Sequence, residues 1–181
     1  MTTTDEVLDP TAAPAPDAGT AAHHGEEVRA LHASARFLAL ALAAAIVAAF
    51  VAGFGILQQP DHLLKMTGVA LIGFAGSGVG ALTSLLARYA AGLELANGER
   101  SPPAAEGEVF HQRIAFCFVV RPVLGALVAP LIVGGVTLFT SRHEGFVNSV
   151  DAMMLVAFAG GLYAKSILET AKNVFKVVFR A

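Results

Sequence analysis

The fold of this chain is decided by one apolar stretch, Phe116–Phe139, which reads FCFVVRPVLGALVAPLIVGGVTLF. As a helix it is long enough to cross the hydrocarbon core of a bilayer, which is about 30 Å thick. Soluble domains rarely contain such a run. Its only charge is Arg121, which stands directly before Pro122, and a membrane protein must accommodate that charge at a suitable depth.

The composition of the whole chain agrees with this interpretation. Of the 181 residues, 55% are hydrophobic and 14% are charged, whereas soluble domains carry about 25% charged residues. A core of this size cannot absorb so much apolar surface without exposing large patches to water, so lipid is the expected solvent. The formal net charge of −2 argues against nucleic acid as a partner, because nucleic acids attract basic proteins.

Hydropathy and turn signals predict an all-α polytopic membrane protein with four transmembrane helices and a C-terminal amphipathic extension. Residues 1–25 are rich in Ala, Pro, Thr and Asp and are typical of a disordered cytosolic tail. The transmembrane domain is expected to cover residues 26–181. Its predicted spans are about 37–57, 66–87, 122–140 and 146–164.

The third span has two possible registers. If it begins at Ile114, Arg121 lies about 10 Å deep in the membrane. If the hydrocarbon core holds only Pro122–Thr140, Arg121 lies at the boundary and its side chain can reach the headgroups. We prefer the second register, because burying the charge costs about 2.5–3.5 kcal/mol on insertion scales.

Residues 165–181 form the basic amphipathic tail. Charged residues recur there every three or four positions and fall in one helical stripe, while apolar residues cover much of the remaining surface. We expect this helix to continue directly from the fourth span. It could lie on anionic lipid headgroups or pack against a neighbouring subunit. Alternatively, it is the end of a long transmembrane helix whose cationic side chains extend to the headgroups. The charged residues are Lys165, Glu169, Lys172, Lys176 and Arg180.

The distribution of cations predicts the orientation of the spans. Nine arginines and lysines flank the spans on the side of both termini, whereas the opposite side has only Lys65 and Arg142. We therefore expect a multi-pass protein of the bacterial inner (plasma) membrane, with both termini and the middle loop in the cytosol. The nine cations are Arg29, Arg36, Arg88, Arg100, Arg113, Lys165, Lys172, Lys176 and Arg180.

Glycines supply the expected helix-packing surfaces. Gly76 and Gly80 form a small-xxx-small step on one face of the second span, which lets two helix backbones approach closely in lipid. Gly125, Gly160 and Gly161 provide further close-packing points in the third and fourth spans. Glycine- and alanine-lined faces appear on every predicted span, more than a four-helix monomer needs, so the sequence favours a homo-oligomer.

Three charged residues are expected to share one depth at the cytosolic boundary. These are Arg121, Lys165 and Glu169. We predict that Glu169 pairs with Arg121 on the adjacent helix, and with Lys165 and Lys172 on its own helix. Such a cluster would mainly fix the packing of the helices, and a gating or ion-path role is the alternative.

A second polar group is expected on the outer face. It contains two histidines and three carboxylates from different loops and helix starts, and such groups can bind a divalent cation or sense pH. Their spacing matches no ligand pattern, so we expect no metal site. The predicted spans also lack histidine ligands for haem and any catalytic set, which argues against cofactors and an enzyme. The residues are Asp61, His62, His143, Glu144 and Asp151.

The third and fourth spans resemble a pattern found in bacterial four-helix inner-membrane proteins of uncharacterised activity. Arg121-Pro122 is followed by Gly125-Ala126, and Ala159-Gly160-Gly161 is followed by Lys165. The pattern places a Glu soon after the glycine, where this chain has Tyr163-Ala164. The match covers about a third of the chain and implies fold and membrane placement.

Two functions follow from these features. One is a homo-oligomeric small ion channel or pore that conducts along the axis between subunits. The other is a non-conducting scaffold or accessory subunit that recruits a protein partner through the 90–113 loop and the basic tail. Polar residues that could line a wet pathway are few, which counts against the channel: Ser77, Thr83, Ser84 and Thr137.

Overall fold

The computed structural model describes residues 18–103, 107–140 and 149–178. Within these ranges the chain forms five helices and one two-stranded antiparallel ladder. The prediction of an all-α membrane fold is confirmed at this level. The helices are α1 (Ala18–Leu57), α2 (His62–Ala91), α3 (Gln112–Thr140), α4 (Val150–Leu162) and α5 (Ala164–Val178), and the strands are β1 (Leu93–Glu94) and β2 (Arg100–Ser101).

In the described part of the chain, three helices are long and apolar enough to cross a membrane, and the bent pair of α4 and α5 would make a fourth span if it is counted as one. The three are His23–Leu57, His62–Ala91 and Gln112–Phe139. The predicted spans 37–57, 66–87 and 122–140 fall inside α1, α2 and α3. The apolar runs in the sequence therefore correctly locate the three long helices.

Helix α1 begins earlier than the sequence indicates. Its 40 residues give a length of about 60 Å, roughly twice the thickness of a hydrocarbon core. Residues 18–25, assigned above to the disordered tail, belong to this helix. Alanine favours helix, and His24 Nδ1 lies 3.7 Å from Glu99 Oε2 in the connection between α2 and α3. Residues 1–17 lie outside the described ranges.

The chain bends sharply between α4 and α5. The two helix axes diverge by 65°, so the expectation that the basic tail continues straight from the fourth span is wrong. Gly160 and Gly161 stand just before the bend at Tyr163, and paired small residues are a common cause of kinks. Of the predicted fourth span, residues 146–148 lie outside the described part of the chain, and α4 covers 13 residues.

Helix α2 occupies the centre of the bundle and packs against α1, α3 and α4. Two buried apolar clusters lie along the bundle. One, at the end where α1 joins α2, contains Leu57, Val69, Ile72, Ala129, Val133 and Ala157. The other, near the connection between α2 and α3, includes Leu31, Ala35, Leu85, Leu93, Leu95, Phe110 and Phe118. We call the end of the bundle at the α1–α2 connection the loop end, and the end at the α2–α3 connection the cap end.

The connection between α2 and α3 folds back onto α1 at the cap end. Strands β1 and β2 pair as Leu93 with Ser101 and Glu94 with Arg100. Gly98 has a φ of +84° at the tip, a conformation that glycine adopts without strain. We use the term cap for residues 18–36 of α1 together with residues 92–103 and 107–111.

Candidate functional site

The side chain of Arg121 lies against one face of α2. Its Nη1 donates a hydrogen bond to Ser84 Oγ at 3.0 Å. The hydroxyl of Ser77 in turn donates to the backbone carbonyl of Arg121 at 2.7 Å. Ser77, Gly80 and Ser84 are spaced by three and four residues, which places them on the same helical face. Gly80 leaves room there, because a Cβ at this position would lie 3.1 Å from Arg121 Nη2.

Among the described residues, a salt bridge joins only two of the three predicted boundary charges. Lys165 Nζ lies 3.7 Å from Glu169 Oε1 on the same helix, with both side chains mostly exposed. Within the described ranges, Arg121 forms no salt bridge with Glu169 and bonds to Ser84 instead. Helix α5 leaves α4 at 65°, and the Glu169 side chain stays 62% exposed. A surface pair of this kind contributes little to stability.

Arg121 and Lys165 instead face a common cavity of about 950 Å³ between α2, α3 and the start of α5. We call this space the boundary cavity. Arg88 and Glu108 also line it, and Arg88 Nη2 donates a hydrogen bond to Glu108 Oε2. The rest of the lining is mainly apolar and includes Phe116, Val120 and Leu124. Three cationic side chains and one carboxylate therefore line the same cavity as a mainly apolar set of side chains.

Sequence analysis missed Ser84, Arg88 and Glu108 as parts of this cavity. A signal was present for Ser84, because it continues the four-residue spacing of Gly76 and Gly80 along α2. Arg88 follows one turn later on the same face. Nothing in the local sequence indicates Glu108, since its position depends on how the α2–α3 connection folds.

The five predicted packing glycines all lie at contacts inside this chain. Gly76 faces the backbone of Phe158 on α4, and Gly161 faces the backbone of Gly73 on α2. Gly125 approaches Gly73 and Ser77, Gly160 approaches the side chain of Ile132, and Gly80 approaches Arg121. These close approaches join α2 to α3 and α4, and α3 to α4.

The predicted outer polar group is only partly described. Asp61 is the N-cap of α2 and accepts a hydrogen bond from the backbone N–H of Leu63 at 2.9 Å. His62 is exposed at the first position of that helix. Asp151 lies in the first turn of α4, where a carboxylate interacts favourably with the helix dipole. His143 and Glu144 lie outside the described residues.

The cap contains a second cavity of about 600 Å³ between α1 and the hairpin. Charged and polar groups from three segments line it, namely Glu27, Ser34, Glu94, Asn97, His111, Gln112 and Arg113. Glu27 Oε1 accepts a hydrogen bond from the backbone N–H of Ala96 at 2.6 Å. His32 Nδ1 lies 2.6 Å from the Tyr89 hydroxyl, which ties α1 to the end of α2. The cap is therefore held to the bundle by polar contacts as well as by its apolar cluster.

Comparison of the chain with protein-family models, with curated proteins and with solved structures finds no match. The resemblance to bacterial four-helix inner-membrane proteins therefore stays a prediction.

Proposed function

We propose that this chain is a non-conducting integral membrane protein whose cap recruits a protein partner at the cytosolic face of the membrane. The observation that carries the proposal is the folding of the α2–α3 connection onto the extension of α1. Phe110 and Leu93 are 1% and 2% exposed there, so this connection has a core of its own. A simple linker between two spans has no need for such a core.

The placement of hydroxyl groups supports a non-conducting protein. Thr83 and Thr137 donate to carbonyls of their own helices, and Ser77 is buried against Arg121. A channel needs carbonyls, charged side chains or hydroxyls that line a continuous path. In the described part of the chain these hydroxyls are already bonded to backbone, and glycines bring the backbones of α2, α3 and α4 into close contact.

For the membrane arrangement we propose four crossings. Val150 at the start of α4 packs against the loop-end cluster, while Lys165 at the start of α5 lines the boundary cavity at the cap end. Helix α4 thus connects the two ends of the bundle. Its 13 residues span only about 20 Å, which is less than the full thickness of a hydrocarbon core. Helix α5 would then lie along the headgroups of the cytosolic leaflet, its lysines toward anionic lipid.

A homo-oligomer remains a second proposal, and one observation favours it. The predicted packing glycines contact other helices of the same chain. A Cβ at Gly134 or Gly135 of α3, by contrast, would meet no atom of the described residues within 4 Å. Exposed apolar side chains accompany them, including Leu131 at 75% and Leu138 at 80% exposure. This face of α3 could bind the same face of a second copy, and an inter-subunit pore would have to form beside it.

Photo-crosslinking and conductance together test this function. We expect p-benzoylphenylalanine at Ala96, which is exposed on the cap, to form a discrete crosslinked product with another protein in cells. The same amino acid at Leu63, 80% exposed at the loop end, is the matched control and should not form it. Purified protein should leave the conductance of a planar bilayer unchanged, and light scattering should report its subunit number.

Two results would contradict the proposal. Absence of any crosslinked product from the cap would remove the recruiting role. Discrete single-channel currents that require the protein would instead favour the oligomeric channel.

A further inference from the structure

The boundary cavity arranges charge and apolar surface in a definite order along the bundle. Its cationic side chains, Arg88, Arg121 and Lys165, lie toward the cap end. From Leu124 the exposed face of α3 continues toward the loop end through Leu127 and Leu131, at spacings of three and four residues. These leucines are 38%, 64% and 75% exposed. The cationic part of the cavity is therefore continuous with a row of exposed leucines on α3, Leu124, Leu127 and Leu131, which we call the apolar track.

The charge of Arg121 is the least compensated of the three. Arg88 bonds to Glu108 and Lys165 pairs with Glu169, whereas the guanidinium of Arg121 bonds to the neutral hydroxyl of Ser84. A guanidinium carries five N–H donors in a planar fork that suits a phosphate or carboxylate. Within the described residues no carboxylate forms a salt bridge with it. A bound anion would offset this partly buried charge.

We propose that the boundary cavity binds one anionic phospholipid from the adjoining leaflet. Its phosphate would accept hydrogen bonds from Arg121 and Lys165, and an acyl chain would lie along Leu124, Leu127 and Leu131. The excess of cations over carboxylates in the lining selects a headgroup with net negative charge. Basic recesses between transmembrane helices are suited to such headgroups.

The apolar track distinguishes a phospholipid from a soluble anion. A free phosphate would use the cations alone, whereas a phospholipid also covers the leucines beside them. The volume of about 950 Å³ is within the usual range for a small-molecule site, roughly 300–1,000 Å³. This site differs from the diffuse attraction of α5 to a charged surface, because it should saturate at a fixed stoichiometry.

Native mass spectrometry of the full chain in detergent tests the proposal. Phosphatidylglycerol and phosphatidylcholine with identical acyl chains are titrated separately. We expect a saturable adduct with phosphatidylglycerol, weaker by about tenfold in Arg121→Gln because charge-assisted hydrogen bonds are lost. Arg36→Gln, an exposed cap-end arginine outside the cavity lining, is the matched control and should bind like the wild type. Excess inorganic phosphate should not displace the lipid.

The chain's one cysteine gives a second readout that needs no substitution. Cys117 is exposed and lines the boundary cavity, so bound lipid should slow its reaction with a small maleimide. Phosphatidylglycerol should slow it at low mole fraction and phosphatidylcholine should not.

Three results would overturn the proposal. They are equal binding of the two lipids, unchanged phosphatidylglycerol binding in Arg121→Gln, and displacement of the lipid by inorganic phosphate. None of these results bears on whether the cap recruits a protein or whether the chain conducts ions, so the two proposals fail separately.

Discussion

Gly161→Ala is expected to lower the melting temperature of the purified protein in detergent by about 5–10 °C, corresponding to roughly 2–3 kcal/mol. A Cβ at this position would collide with the carbonyl oxygen, carbonyl carbon and Cα of Gly73 on α2. These are backbone atoms, so no side chain can rotate away and the two helices must separate. The gain in helix propensity from glycine to alanine, about 1 kcal/mol, is too small to offset this. Thermal unfolding followed by circular dichroism measures the change.

Gly134→Ala is the matched control for this substitution. It makes the same chemical change in a neighbouring helix, at a position where a Cβ would meet no described residue within 4 Å. We expect its melting temperature to stay level or rise slightly. Equal destabilisation by the two substitutions would show that glycine at position 161 is not required by the α2–α4 contact.

Phe110→Ala is expected to unfold the cap while the transmembrane helices remain folded. Phe110 is 1% exposed and its backbone N–H donates to the carbonyl of Gly92 at 2.9 Å. Replacing a buried phenylalanine with alanine costs about 3–5 kcal/mol, a large loss for so small a core. Hydrogen exchange should therefore accelerate across residues 92–103, with helix α2 still protected. The crosslink from Ala96 should also disappear.

Phe139→Ala provides the control for that experiment. Phe139 is 92% exposed at the far end of α3, so its removal deletes the same side chain without leaving a cavity. Exchange across residues 92–103 should then match the wild type. Rapid exchange of this segment in the wild-type protein would contradict an ordered cap.

Hydropathy was sufficient to predict the long helices, because lipid requires unbroken apolar runs and those runs are visible in the sequence. It was not sufficient for the cap. Residues 18–25 contain few apolar side chains, and hydropathy carries no signal for their contact with a distant segment, which brings His24 near Glu99. The hairpin strands are two residues long each, too short to produce a periodic pattern.

For the boundary charges, too, the sequence predicts one contact and misses another. Periodicity correctly identified the exposed i,i+4 pair of Lys165 and Glu169, because spacing within one helix fixes proximity. It could not identify the partner of Arg121, which depends on the rotation of α3 relative to α2. Nor did it reveal the 65° bend at Tyr163, since Gly160-Gly161 is equally compatible with a straight close-packed helix.

The most direct test of the proposed arrangement is the labelling of single cysteines from each side of the membrane, in a Cys117→Ala background. Cysteine replaces Ala96 in the cap, Lys172 in α5 or Leu63 at the loop end, all of which are exposed. A membrane-impermeant maleimide should label position 63 in intact spheroplasts, and positions 96 and 172 only in inside-out vesicles. Labelling of positions 96 and 172 from opposite sides would contradict four crossings and the shared cytosolic placement of the cap and α5.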